Sequence, residues 1–139
     1  MKVKEGKNAI IEKEWRGDAA MEKVPFTHCP TNKKNCVSTI DLTSYHRIAP
    51  LPISDNTEDT KMRIRNTLSK FDHVEIKEEK SHYVHAVFTS KWLKFKDDLE
   101  LYIDGSTNLL HIKSGSRLGY YDFKVNRKRV EQFKNLFNK

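Results

Sequence analysis

Residues 114–133 read SGSRLGYYDFKVNRKRVEQF, and here a strand runs through a Gly-Tyr-Tyr turn into a helix. Arg117, Arg127 and Arg129 crowd around that turn together with Asp122, Asn126 and Glu131. Downstream, Val130, Phe133 and Phe137 recur at i, i+3, i+7, a single apolar stripe. Asn126 lies on the same face, where a buried amide needs partners. Upstream, LLHIKSGS reads as a strand with Leu110 and Ile112 inward. Arg117 ends that strand and Arg127 and Arg129 open the helix, so they converge on one end of a sheet. Asp122 can cap the helix or fix an arginine fork. The cluster has two readings. One is a hydrogen-bonded clasp that locks the strand–helix corner. The other is a pocket for a phosphate or carboxylate, helped by the helix N-terminus.

Three more strands and a helix precede this corner. In HVEIKEE, Val74 and Ile76 alternate with polar residues. HYVHAVFTS puts Val84, Ala86 and Phe88 on one face and Tyr83, His85 and Val87 on the other. In FKDDLELYIDG, Phe95, Asp97, Leu99, Leu101 and Ile103 share one face, while Asp98, Glu100 and Tyr102 share the other. DGSTN is a hairpin turn by composition. Before the strands, SDNTEDTKMRIRNTLSKF carries Ile64, Leu68 and Phe71 at i, i+4, i+7. Asp55 and Glu58 have capping-box spacing, and Asn56 or Thr57 can cap instead. The stripe is narrow, so Lys61 is expected to stand in water.

The order helix, four strands, helix predicts an α+β fold: an antiparallel sheet of about four strands with two helices packed on one side. An irregular N-terminal arm precedes it. THCPTNKKNCVSTIDLTSYHRIAPLPI is rich in Pro, Asn, Ser and Thr, which favour turns, and is expected to lie extended on the domain. Residues 1–28 form an extension and 29–139 a single domain. Within the extension, AIIEKEW reads as a short strand. Arg16-Gly17-Asp18 matches an integrin-binding tripeptide, a match short enough to arise often by chance.

The 139 residues fit one domain with one core. Seven Phe, five Tyr and two Trp supply bulky core material despite a charged content of 32%. No run approaches the roughly 18 apolar residues that span a bilayer. MKVKEGKNAIIEKEW has no apolar h-region, so a cytoplasmic protein is expected; an exported mature form that has lost its leader is the alternative. The net charge of +7 is uneven. Residues 111–139 hold eight Lys and Arg against two acids, and residues 57–110 hold nine against ten. A basic C-terminus can attract nucleic acid or anionic lipid, though Phe133 and Phe137 sit at core spacing rather than interleaved with the charges.

Two residue groups could carry chemistry. Cys29 and Cys36, with six residues between them, pair in an oxidising compartment and stay free thiols in a reducing one. His28 beside Cys29 and His46 ten residues past Cys36 make no recognised zinc spacing, so no metal is assigned. A reactive thiol would need a base that the sequence does not pick out. DDLE places Asp97 and Asp98 on opposite faces. Either can serve in acid–base work, or as a salt-bridge partner for Arg117, Arg127, Lys128, Arg129 or Lys134.

CPTNKKNCVST, YHRIAPLP, FKDDLEL and SGSRLGYYDFKVNRKRVE together resemble the domain-of-unknown-function 1499 family, from Cys29 to about Lys134. The C-terminal motif is the specific part: Ser116, Arg117, Gly119, Tyr120, Asp122, Asn126, Arg127, Arg129 and Glu131 match at the family's spacing. Tyr121 stands where the family has a serine, Lys124 where it has a glycine, and Lys113 and Ser114 where an arginine is usual. The family's first cysteine motif is also tighter. The resemblance implies a fold and a site but no reaction.

The expectation is a binding module without catalytic activity. Its polar site draws on Arg117, Tyr120, Asp122, Asn126, Arg127, Arg129, Asp97 and Asp98. The partner would be a small anionic ligand or another protein, and no cofactor is called for. A small enzyme using Asp97, Asp98 or a Cys29 or Cys36 thiol is the first alternative. Nucleic-acid binding through the basic C-terminal region is the second. No Gly-rich phosphate loop, zinc signature or nucleophile elbow occurs in the sequence.

Overall fold

The structure is a computed structural model and describes residues 24–139. The short strand expected at residues 9–15 and the Arg16-Gly17-Asp18 tripeptide lie outside the described residues. The described chain runs β1 (Cys36–Ser38), β2 (Leu51–Pro52), α1 (Thr57–Leu68), β3 (Val74–Glu79), β4 (Tyr83–Thr89), β5 (Lys96–Asp104), β6 (Leu109–Ser116) and α2 (Val125–Phe137). All strands belong to one antiparallel sheet ordered β1-β6-β5-β4-β3. β2 pairs the other half of β6, opposite Leu109 and Leu110. Four strands of this sheet are those expected. The remaining two, β1 and β2, come from the segment expected to be an irregular arm. They are three and two residues long, too short to leave a period in the sequence.

Register explains how the core is built. Val84 lies opposite Leu101, and Leu101 opposite Ile112. Ala86 lies opposite Leu99, and Ile103 opposite Leu110. This face meets Ile64 and Leu68 of α1 and Val130, Phe133 and Phe137 of α2 in one buried cluster. Both helices therefore cover the same side of the sheet. Removing these side chains from water supplies about 25 cal/mol per Å² of apolar surface and holds the layers together.

Two details of the helix reading change. Asn56 is the N-cap of α1, its side chain accepting from Asp59 N–H at 2.8 Å, and no Asp55–Glu58 box forms. Lys61 is buried, only 8% exposed, with its Nζ 3.5 Å from Glu79 Oε2. Its aliphatic stem covers apolar surface while the head reaches the edge strand. Phe95 also departs from expectation. It precedes β5 and is exposed, because the β4–β5 connection leaves the sheet before reaching it.

The opposite face of the sheet is covered only in part. Val24, Phe26 and Ile40 pack there, with Tyr83 and Tyr102 against them. Residues 24–28, expected within the extension, thus take part in packing. The arm is fixed by Thr39, whose N–H donates to Ile112 O at 2.9 Å and whose Oγ1 accepts from Ile112 N–H at 3.0 Å.

Candidate functional site

The Ser114–Phe133 corner divides into two sets of side chains on opposite faces of the sheet. Asp97, Ser114 and Ser116 share the helix-side face, as register with Leu99 and Ile112 requires. Asn126 projects from α2 onto them and is 1% exposed. Its Oδ1 accepts from Ser114 Oγ at 2.6 Å and from Arg129 at 2.9 Å. Its Nδ2 donates to Ser116 Oγ at 2.9 Å, Asp122 Oδ2 at 2.8 Å and Asn35 O at 3.1 Å. The buried amide is fully satisfied. Arg129 donates to Asp97 Oδ2 at 2.9 Å, and its guanidinium lies 4.4 Å above the Phe88 ring. Asp122 accepts from Lys124 N–H and Asn126 N–H at the start of α2. Those donors have no partner within the helix, so Asp122 acts as its cap.

Arg127 serves another segment. It donates to Arg47 O at 3.1 Å and Tyr45 O at 2.9 Å, tying α2 to the loop before β2. Tyr120 stands exposed at the rim, 5.6 Å from Lys33 Nζ. Its backbone carbonyl accepts from Lys34 N–H. The three arginines of the basic C-terminal region are thus all engaged within the chain.

Asp98 and Arg117 belong to the far face. Arg117 forms a fork on Asp98 with two bonds of 2.9 Å. His85 Nε2 lies 2.8 Å from Asp98 Oδ1. Burial raises the Asp98 pKa, but the hydrogen bonds from Arg117 and His85 outweigh it and hold the carboxyl below its usual range. Tyr83 donates to Glu100 Oε2 at 2.6 Å, and burial with that hydrogen bond raises the phenol. Lys113 lies opposite Glu100 on β6. Burial lowers its pKa against the opposing pull of Glu100, Asp41 and Asp98. Its Nζ reaches Thr27 Oγ1 at 3.2 Å.

His85, Asp98, Glu100 and Lys113, with Lys33, Asn35 and Cys36, line an open cleft of about 400 Å³. Asn35 Nδ2 donates to the Leu118 and Gly119 carbonyls, and its buried Oδ1 has no hydrogen-bond partner among the described residues. Cys36 is joined to Cys29 in a disulfide. Gly115 makes room for it: a Cβ there would stand 3.2 Å from Cys36 Sγ. With both sulfurs bonded, neither cysteine is a nucleophile in this state.

The residues singled out in the sequence are therefore brought together in two places. Asp97, Asp122, Asn126 and Arg129 form a closed network beneath α2. Asp98 lines the far-face cleft, and Arg117 holds it from outside that lining. Arg127 stands apart from both, and Tyr120 meets the cleft only through Lys33. Sequence reasoning missed His85, Lys113, Lys33 and Asn35 as neighbours of Asp98. Strand alternation places His85, Asp98 and Glu100 off the core face, but only register shows that they are adjacent.

No helix among the described residues is long and apolar enough to cross a membrane. None of the curated proteins matches the chain. A family model matches residues 26–137, which include β1, the whole sheet, both described helices and every residue of the corner network. The chain belongs to the family described as Protein of unknown function (DUF1499).

Proposed function

We propose that the domain is a binding module without catalytic activity, taking a small anion in the far-face cleft and working in an oxidising compartment. One observation carries the reading: the carboxylates of the cleft are already hydrogen-bonded, whereas its ammonium groups have no carboxylate partner. Asp98 is held by Arg117 and His85, and Glu100 by Tyr83. Lys33 and Lys113 form no ion pair among the described residues, although both line the cleft. With Arg117 cancelling Asp98, two lysines face the single charge of Glu100; that small positive excess attracts anions, and partial burial strengthens the attraction. An arriving carboxylate or phosphate would also offset the desolvation that lowers the Lys113 pKa.

The enzyme alternative draws less support. Asp98 is already ion-paired with its pKa held down, a poor setting for a general base near neutral pH. The Cys29–Cys36 bond supports an oxidising compartment, because such disulfides persist outside reducing cytosol. Under this reading the corner network is a clasp that sets the register of β6 and α2, and the cleft beside it receives the ligand.

Thermal unfolding at constant ionic strength tests the proposal with phosphate, sulfate or malonate in place of chloride. A bound anion at ten times its Kd stabilises by about 1.4 kcal/mol. The expected result is a raised midpoint in the wild type and none in the Lys33→Gln/Lys113→Gln variant. An anion response of equal size in both proteins would reject the cleft as the site.

A further inference from the structure

Two loops at one end of the sheet present apolar side chains to water. The β4–β5 connection carries Trp92, 82% exposed, and Leu93, 69% exposed. The β6–α2 connection carries Leu118, 72% exposed, and Phe123, 75% exposed. Single exposed apolar residues are ordinary, but a cluster of large ones marks an interaction surface. A groove of about 780 Å³ lies between the loops, lined among others by Phe95 and Tyr121. Both loops are held in shape. Ser90 and Phe95 close the first through Ser90 N–H to Phe95 O and Phe95 N–H to Ser90 Oγ, each at 2.8 Å. In the second, Tyr121 and Phe123 meet edge to face at 4.8 Å. The apolar tips are therefore preformed.

The charge around them is one-sided. Beyond Arg117, paired with Asp98, and Arg127, tied to backbone carbonyls, residues 90–96 and 117–128 hold five lysines and a single acid, Asp122, which is occupied as the cap of α2. Asp72 also borders the groove, and Asp97 there is neutralised by Arg129. We propose that this face docks on an anionic lipid surface, with the Trp92–Leu93 and Leu118–Phe123 tips entering the headgroup boundary. Aromatic rings are suited to that depth, and lysine stems can lie along acyl chains while their ammonium groups meet lipid phosphates. A second copy of the chain fits the surface poorly, because it would bring lysines against lysines. Two separate projecting tips also suit a fluid surface, which closes around each, better than a rigid partner.

Vesicle co-sedimentation and Trp92 fluorescence test the proposal. The full chain carries Trp15→Phe, which leaves Trp92 as its single tryptophan. Vesicles of phosphatidylcholine alone are compared with vesicles holding about one-third phosphatidylserine. The expected result is a blue-shifted Trp92 and sedimentation with the anionic vesicles only, weakened in high salt. Each lysine near such a surface contributes roughly fivefold, so Lys91→Gln/Lys94→Gln should lower partitioning about twenty-five-fold. Trp92→Ser/Leu93→Ser should abolish it, and Lys80→Gln, in the β3–β4 turn at the other end of the sheet, should leave it unchanged. Absence of binding to anionic vesicles overturns the proposal and leaves the face to a protein partner. So does binding that survives Trp92→Ser/Leu93→Ser. Self-association that this variant removes, without vesicle binding, would assign the face to a second copy.

Discussion

Arg129 and Arg117 come from one sequence cluster, yet their surroundings give them different energetics. Arg129 and Asp97 are each 14% exposed, and Arg129 also supplies a donor to buried Asn126. Arg129→Gln leaves Asp97 without its charge partner in a place water barely reaches, so a loss of about 3–5 kcal/mol is expected. Arg117 and Asp98 are 45% and 30% exposed, and solvent screens their attraction. Arg117→Gln should cost about 0–1 kcal/mol despite its two-pronged geometry. Urea denaturation of the two variants decides the matter; equal losses would contradict the division into buried and wet faces. His111 gives a second prediction at this scale. It is buried beside Thr39, 3.0 Å from Nδ1 to Oγ1, and burial lowers its pKa to about 4, against a weaker opposing pull from Asp104. The folded protein therefore resists protonating it, whereas the unfolded chain takes up a proton near pH 6.5. Stability is full above about pH 6.5 and falls until the pH reaches about 4, where both states are protonated. Between pH 7.5 and 4.5 the loss from this group should be about 2–3 kcal/mol. His111→Gln should remove that part of the pH dependence, as read from urea midpoints; an unchanged slope would remove His111 as its source.

The start of α2 joins local strain to the packing of a whole element. Phe123 and Lys124 have φ of 55° and 65°, in the left-handed region that side chains disfavour. Lys124 stands where the family resemblance has a glycine, the residue that adopts this conformation without a Cβ penalty. Lys124→Gly should raise stability by about 0.5–1 kcal/mol, the relieved strain exceeding the added freedom of the unfolded chain. A lower melting midpoint in that variant would show that the lysine side chain stabilises the turn by more than its backbone strain costs. The helices were legible because each has a stripe: Ile64 and Leu68 on α1, and Val130, Phe133 and Phe137 on α2, are all buried. Strands β3 to β6 were legible for a similar reason, their alternation marking an inner face. β1 and β2 were not, since neighbours rather than propensity decide whether Val37 and Leu51 are strand or loop. The wet side of α1 was misjudged at Lys61 because a stripe locates the centre of a buried face and not its width. Asn126 was legible as a core-facing amide, but its partners Ser114, Ser116 and Asn35 required the register of β6.

At the scale of the molecule, one side of the sheet is sealed by helices, and the other is pinned only where the arm crosses it. The sequence shows which side chains leave the core face, but not that an arm returns to frame a cleft there. That return depends on contacts between residues some 70 to 90 positions apart, such as Thr39 with Ile112 and Asn35 with Asn126. The Cys29–Cys36 bond fixes the arm beside β6, where Cys36 lies opposite Gly115. Closing a loop this short restricts the unfolded chain enough to stabilise the fold by about 2–3 kcal/mol. Reduction should lower the denaturation midpoint of the wild type accordingly and leave a Cys29→Ser/Cys36→Ser variant indifferent to reductant. The same loop carries Lys33 and Asn35 to the cleft, so reduction has a second expected effect. Freed of the cross-link, the loop must be ordered when an anion binds, and the anion-induced rise in the melting midpoint should shrink. Two outcomes can be told apart. A reductant-sensitive midpoint with an unchanged anion response would mean that β1 pairing alone positions Lys33 and Asn35. A midpoint blind to reductant in the wild type would mean that Cys29 and Cys36 are unpaired in solution, and the argument for an oxidising compartment would fall with it.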